Sequence, residues 1–274
     1  MTPAQRAKYF ALLSGSMMTG IGSGPLLGRA ASALGYPVTA AFYLAALASL
    51  IGALLFWRLD VQLKKTPSAS ASAARISWRA VARVLSSRAV FPIIMVGLGG
   101  CVFGGLSSFQ TSYAASRSLD YSLFFFGFMG AAISSRMLIA GFVVKRDPLR
   151  ASCLLSGLMM VSILMFGFVV DDGFSYVLAA MVLGVGYGLT YSVINGLAAN
   201  EAPSGTTSQS LLLFSLSYFV GVFGFPLLAG RIIVEHGMVT LLLTVVAVAL
   251  LNWLITVGRL IWRHVSGIKT LQQA

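Results

Sequence analysis

The sequence predicts an all-α, polytopic membrane protein with eight transmembrane helices. Three observations carry that reading. The chain is 58% hydrophobic and only 9% charged, whereas about a quarter of the residues of a soluble domain are charged. Its mean hydropathy is +0.89. Eight apolar segments, each near the roughly 20 residues that span a bilayer, are separated by Gly, Pro or charge clusters. Finally, a glycine-proline stretch occurs twice. Gly20-Ile-Gly-Ser-Gly24-Pro25-Leu-Leu-Gly28 returns as Gly221-Val-Phe-Gly224-Phe-Pro226-Leu-Leu-Ala-Gly230, each copy inside an apolar segment and followed by an arginine, Arg29 or Arg231. Internal repeats of this kind mark helical transporters.

Taken in order, the predicted spans are 9–31, 38–58, 90–114, 121–143, 151–170, 174–198, 207–230 and 238–260. The 29 glycines fall largely inside them, as expected where small residues let helices approach closely in lipid. The apolar run behind Arg6 and Lys8 resembles a secretory signal. It continues through Pro25, too long for the apolar core of a signal peptide, and its second copy lies deep in the chain.

Charge sets the orientation. With both termini on one side, that side receives Arg6, Lys8, Arg58, Lys64, Lys65, Arg75, Arg79, Arg83, Arg88, Lys145, Arg146, Arg150, Arg259, Arg263 and Lys269. The other receives Arg29, Arg117 and Arg231. Positive charge collects on the cytoplasmic side, so both termini are expected there, in a bacterial-type inner (plasma) membrane. The net charge of +12 is therefore a matter of topology, and no nucleic-acid partner is expected. Between spans two and three, Thr66-Pro-Ser-Ala-Ser-Ala-Ser-Ala-Ala74 is a flexible linker. Residues Arg75 to Arg88 then form an amphipathic helix, with Arg75, Arg79 and Arg83 on one face and Trp78, Val81, Val84 and Leu85 on the other. A helix of this pattern lies on anionic inner-leaflet lipid.

Two helices, a basic loop and six helices, with the last pair echoing the first, resemble the major facilitator superfamily. On that mapping the chain supplies family helices 5–12. Residues 1–58 are the last two helices of the N-terminal half, 59–89 the central loop and 90–274 a complete C-terminal half. Gly20-xxx-Gly24-Pro25-xx-Gly28 resembles the fifth-helix signature of proton-coupled antiporters, although Arg29 stands where a second glycine is common. Ser108-Phe109-Gln110-Thr-Ser-Tyr113 and Tyr187-Gly188-Leu-Thr-Tyr191-Ser-Val-Ile-Asn195 resemble helices seven and ten of sugar- and drug-efflux members. The loop Arg136…Gly141…Lys145-Arg146-Asp147-Pro148 departs from the family pattern, since Lys145 occupies the aspartate position. The resemblance implies alternating access, a small-molecule substrate and protons as partners. It also leaves helices one to four without a counterpart.

Candidate site residues follow from chemistry. Gln110, Tyr113, Tyr187, Tyr191, Asn195 and Tyr218 are polar or amphipathic groups inside spans. Each either lines a polar pathway or bonds another helix. Arg136 carries a charge within a span. It either faces a cavity, where it attracts an anion, or snorkels to the headgroups. Gly20, Gly24, Pro25 and Gly28, with Gly221, Pro226 and Gly230, form a kinked seam; the first stripe is expected to pack on Gly127, Ala131 and Ser135. All seven acidic residues (Asp60, Asp120, Asp147, Asp171, Asp172, Glu201, Glu235) sit in loops or at span ends. Cys101 and Cys153 are small apolar-core residues with no metal-ligand spacing. With no nucleophile–base pair or phosphate loop either, neither an enzyme nor a cofactor is expected. Two readings remain: part of a proton-driven exporter, or a non-transporting eight-helix binding or assembly subunit.

Overall fold

The computed structural model describes residues 16, 19–20, 22–37, 39–64, 77–138 and 147–272. Regular structure among them is helical throughout. Helix α1 covers residues 22–33 and ends where Gly35 takes a positive φ of 77°. That conformation suits glycine, and it lets the Tyr36 N–H reach the Ala31 carbonyl at 2.9 Å. Helix α2 (Thr39–Lys64) follows.

Helix α3 (Trp78–Leu85) starts at Ser77, whose hydroxyl accepts from the Ala80 N–H. Helices α4 (Val90–Ser107) and α5 (Gln110–Ala115) together fill the predicted third span, broken at Ser108 and Phe109. Helix α6 is Ser122–Leu138; the rest of its predicted span and Lys145 and Arg146 lie outside the described residues, as does Arg75. Helix α7 (Pro148–Phe168) begins before its predicted start because Asp147 caps it, with Pro148 in the first turn. Helix α8 (Gly173–Asn200) opens with a capping box between Asp172 and Ser175.

Helix α9 (Thr207–Phe219) runs into a π-helical turn, Val220–Gly224. Helix α10 (Phe225–Gln272) is interrupted at Gly237, with φ 84° and ψ 173°. That break divides the two last predicted spans. Each of the eight predicted segments thus carries helix among the described residues, the first at residues 16 and 19–20 and from 22 on.

From α4 onward the helices pack as a bundle, with α8 at its centre against α6 and α7, and α4 against α9, α10 and the π turn. Glycines make the closest contacts. A Cβ at Gly184 would overlap the Phe128 carbonyl, and one at Gly127 would lie 2.8 Å from the Val177 carbonyl oxygen. On the other side, Gly100 and Gly104 of α4 face the backbone of Tyr218 and Val222, and Gly221 faces that of Gly97 and Cys101. An aromatic column of Phe103, Phe128, Phe124, Phe166 and Tyr176 fills the middle.

The expected seam is corrected here. Gly20, Gly24 and Gly28 have nothing within 4 Å of where a side chain would begin; Gly22 is the glycine pressed on Met129 of α6. The small residues of α6 are spent elsewhere, Gly127 and Ala131 lying against α8. The reason is register. The face of α1 that meets α6 carries Gly22 and Arg29, two turns apart, and the four-residue glycine stripe points away from it. In the second copy the glycine contact is real but internal to the bundle, at Gly221. Helix α2 has no buried residue along its apolar window, so its surface is open to lipid or to further helices.

Candidate functional site

Three tyrosines come together at mid-bundle. Tyr187 and Tyr191, one turn apart on α8, share a face, and Tyr218 of α9 closes on them. The Tyr187 hydroxyl donates to that of Tyr218 at 3.0 Å, and the rings of Tyr191 and Tyr218 meet edge-on with centroids 5.2 Å apart. Phe103 stacks on Tyr187 at 4.9 Å, fixing its ring. Half-buried Asn195, one turn below, engages the Tyr191 hydroxyl.

Tyr187, Tyr191 and Tyr218 border a shallow cleft whose other walls are Met95, Val96 and Gly99 of α4, Met159 of α7, and Thr190 and Ile194 of α8. It has room for about one water molecule, far below the roughly 300–1,000 Å³ of a small-molecule site, so it must widen to admit a substrate. Its chemistry is that of such sites: apolar walls, with a few hydroxyls on one side.

Arg136 does not snorkel. It is 5% exposed, and its Nε donates to the Gly188 carbonyl at 3.0 Å. Gly188 allows this because α6 and α8 approach so closely there that a Cβ would stand 3.2 Å from that of Ala132. The guanidinium is within electrostatic reach of all three tyrosines. A fixed positive charge therefore lies beside the hydroxyl-lined side of the cleft.

Gln110 and Tyr113 are not part of this group. Tyr113 donates to the Phe166 carbonyl at 2.5 Å, and the Tyr176 hydroxyl donates to Gln110 Oε1 at 2.6 Å. Both residues are 2% exposed and join α5 to α7 and α8 as helix–helix bonds. Arg117 lies over the Tyr113 ring and donates to the Val170 carbonyl. The sequence reading left each residue open between pathway and bonding, and here these two bond. Neither Pro226 nor Gly230 enters the cleft; Pro226 follows the π turn that carries Gly221, and Gly230 rests near the Phe109 ring. Pro25 lies within α1, which continues helical through it.

Ion pairs tie the helix ends. At one end, Arg29 of α1 pairs with Asp120 at 2.5 Å and donates to the Ser122 hydroxyl. At the opposite, basic end, Arg259 holds both oxygens of Glu201, and Arg263 holds those of Asp147. Hydrogen bonds from the backbone and hydroxyl of Ser122, and then the Arg29 charge, keep the Asp120 carboxyl below the usual carboxylate range. A carboxyl shifted downward contributes its stabilisation above its ordinary pKa of about 4 and loses it as pH falls through the lowered value. The thermal stabilities of wild type and Asp120→Asn should therefore differ by a constant amount from pH 8 to 5 and converge only in stronger acid. Because Arg29 is 57% exposed, that constant is expected to be below about 1 kcal/mol.

A family model described as Major Facilitator Superfamily matches residues 1–226. The chain belongs to that superfamily. It is accordingly a multi-pass membrane transporter, and the helical bundle is that of the superfamily fold. No curated protein matches the chain. For a superfamily member, the site features that sequence reasoning missed are instructive. Met95, Gly99, Met159 and Thr190 line the cleft, yet on their own helices they look like any apolar core residue. Gly97, Gly100 and Gly104 recur at spacings of three and four, the same signal read in α1 and the π-turn segment but not read in α4.

Proposed function

We propose that this chain serves proton-coupled efflux of a small molecule by alternating access, with the tyrosine cleft as part of the substrate pathway. The observation that carries this reading is the cleft itself, where three tyrosines meet apolar walls inside the bundle, with the buried Arg136 guanidinium within electrostatic reach of them. Tyr187, Tyr191, Asn195, Tyr218 and Arg136 would contact substrate, and Gln110 and Tyr113 would hold the outer wall in place. On the superfamily mapping, α1 and α2 belong to one half and α4 to α10 to the other. The Arg29–Asp120 pair then joins the halves at one end, and separating them requires breaking it. Since the acidic residues lie in loops or at span ends, the proton-carrying group is to be sought outside these spans.

The test is outward flux of candidate substrates from vesicles containing the protein, with and without an imposed pH gradient. Flux that rises with the gradient and collapses with a protonophore is expected. Arg136→Gln removes a buried, charged donor worth about 1.5–3 kcal/mol, so at least a tenfold lower flux of anionic probes should result. Gradient-independent flux would remove the proton coupling. Absence of any flux would favour the second reading, a binding or assembly subunit, for which the unburied surface of α2 speaks.

A further inference from the structure

Helix α3 sits at the basic end of the bundle and has two distinct faces. Val81 and Val84, 9% and 0% exposed, face inward, and the helix packs on α9. This corrects the simple picture of one apolar face on lipid, because the valines are spent on protein. The remaining surface is divided again. Trp78 is 86% exposed and Leu85 46% exposed, and they lie together along one edge. Arg79 and Arg83 are exposed one turn apart along the neighbouring edge. Close in sequence, exposed Arg88 lies over the ring of Trp262, 5.2 Å from its centroid, and that ring is itself 56% exposed. Asp147 and Glu201, at this end, are engaged by Arg263 and Arg259.

An exposed indole beside exposed guanidinium groups at the end of a membrane bundle suits one environment. The indole prefers the headgroup level of the bilayer. The arginines carry planar donors matched to phosphate oxygens. We propose that Trp78, Arg79 and Arg83 form a binding site for the headgroups of anionic phospholipids. Arg88 and Trp262 extend it along the rim of α10. Because the inner face of α3 rests on α9, which also carries Tyr218, lipid held there bears on the helix that closes the tyrosine cleft. The site goes beyond the transport reading and stands whether or not the cleft carries substrate.

The intact protein, in detergent micelles doped with equal phosphatidylglycerol and phosphatidylcholine, would be examined by native mass spectrometry. Preferential retention of phosphatidylglycerol is expected, and Arg79→Gln with Arg83→Gln should weaken it about 30-fold, the combined effect of two interfacial cations. Equal retention of both lipids, or unchanged retention in the double variant, would overturn the proposal. Inorganic phosphate should leave the adducts in place; displacement by phosphate would overturn the assignment to a lipid. A second measurement does not depend on the charge variants. In vesicles, brominated phosphatidylglycerol should quench tryptophan fluorescence more than brominated phosphatidylcholine; Trp78→Phe should reduce the difference, and Trp78→Phe with Trp262→Phe should abolish it. Persistence of the full difference in the double variant would count against the site.

Discussion

Gly221→Ala is expected to cost the protein about 3 kcal/mol, read as a lowered thermal or denaturant midpoint in detergent. The new methyl group would overlap the Gly97 carbonyl oxygen and stand 2.9 Å from the Cys101 nitrogen. Those are backbone atoms of α4, so no side chain can rotate to make room, and the π-turn segment must move off α4 as a unit. Overpacking usually costs about 1–3 kcal/mol, and displaced backbone belongs at the upper end. The same movement carries Tyr218, whose carbonyl faces Gly100, away from Tyr187, so loss of transport should accompany loss of stability. The matching change in the first copy, Gly24→Ala, should be neutral or mildly stabilising, because nothing lies within 4 Å of it and alanine favours helix by up to about 1 kcal/mol. Equal effects of the two substitutions would sink this account.

Glu201→Gln should be as damaging, by a different route. The Arg259 side chain is 9% exposed and that of Glu201 is 18% exposed; the Arg259 Nη2 lies 2.5 and 2.7 Å from the two carboxylate oxygens. Phe91 covers the guanidinium from the other side, with its ring centroid 5.0 Å away. Such a pair adds little net stability as a whole, but removing one partner leaves a buried charge, at about 3–5 kcal/mol. The double variant Glu201→Gln with Arg259→Met should therefore recover most of what the single variant loses, and a double-mutant cycle measures the coupling. Asp147→Asn, which breaks the Arg263 pair, is the internal comparison. Arg263 is 46% exposed, and a loss of about 1 kcal/mol or less is expected there. Similar losses at Asp147 and Glu201 would mean that burial does not set the cost.

Both predictions rest on features the sequence displayed only in part. The spans were legible because a bilayer demands long apolar helices whatever their neighbours. Their starts were less so: hydropathy placed them at 151 and 174, whereas the caps at Asp147-Pro148 and at Asp172 with Ser175 set them earlier. The tyrosines of the cleft were legible as a set, since polar groups inside spans are few and Tyr187 and Tyr191 share a face. Their separation from Gln110 and Tyr113 was not, because a buried hydroxyl reads the same whether it faces a cavity or a carbonyl on another helix. Glu201 and Arg259 were legible only as span-end charges. Their pairing joins residues 58 apart in the chain, a contact no local pattern encodes.

The duplicated Gly-Pro stretch marks the boundary between the two kinds of information. Sequence alone established that this is an all-helical membrane protein with a repeat, because hydropathy and charge are sums over residues and do not depend on which helix meets which. Tertiary structure decided what each copy does. Gly221 is pressed on α4, while Gly20, Gly24 and Gly28 face open space and Gly22 takes the contact with α6. Glycine has no side chain with which to declare a partner, so its role is set by the backbone that approaches it, and only the folded arrangement specifies that approach.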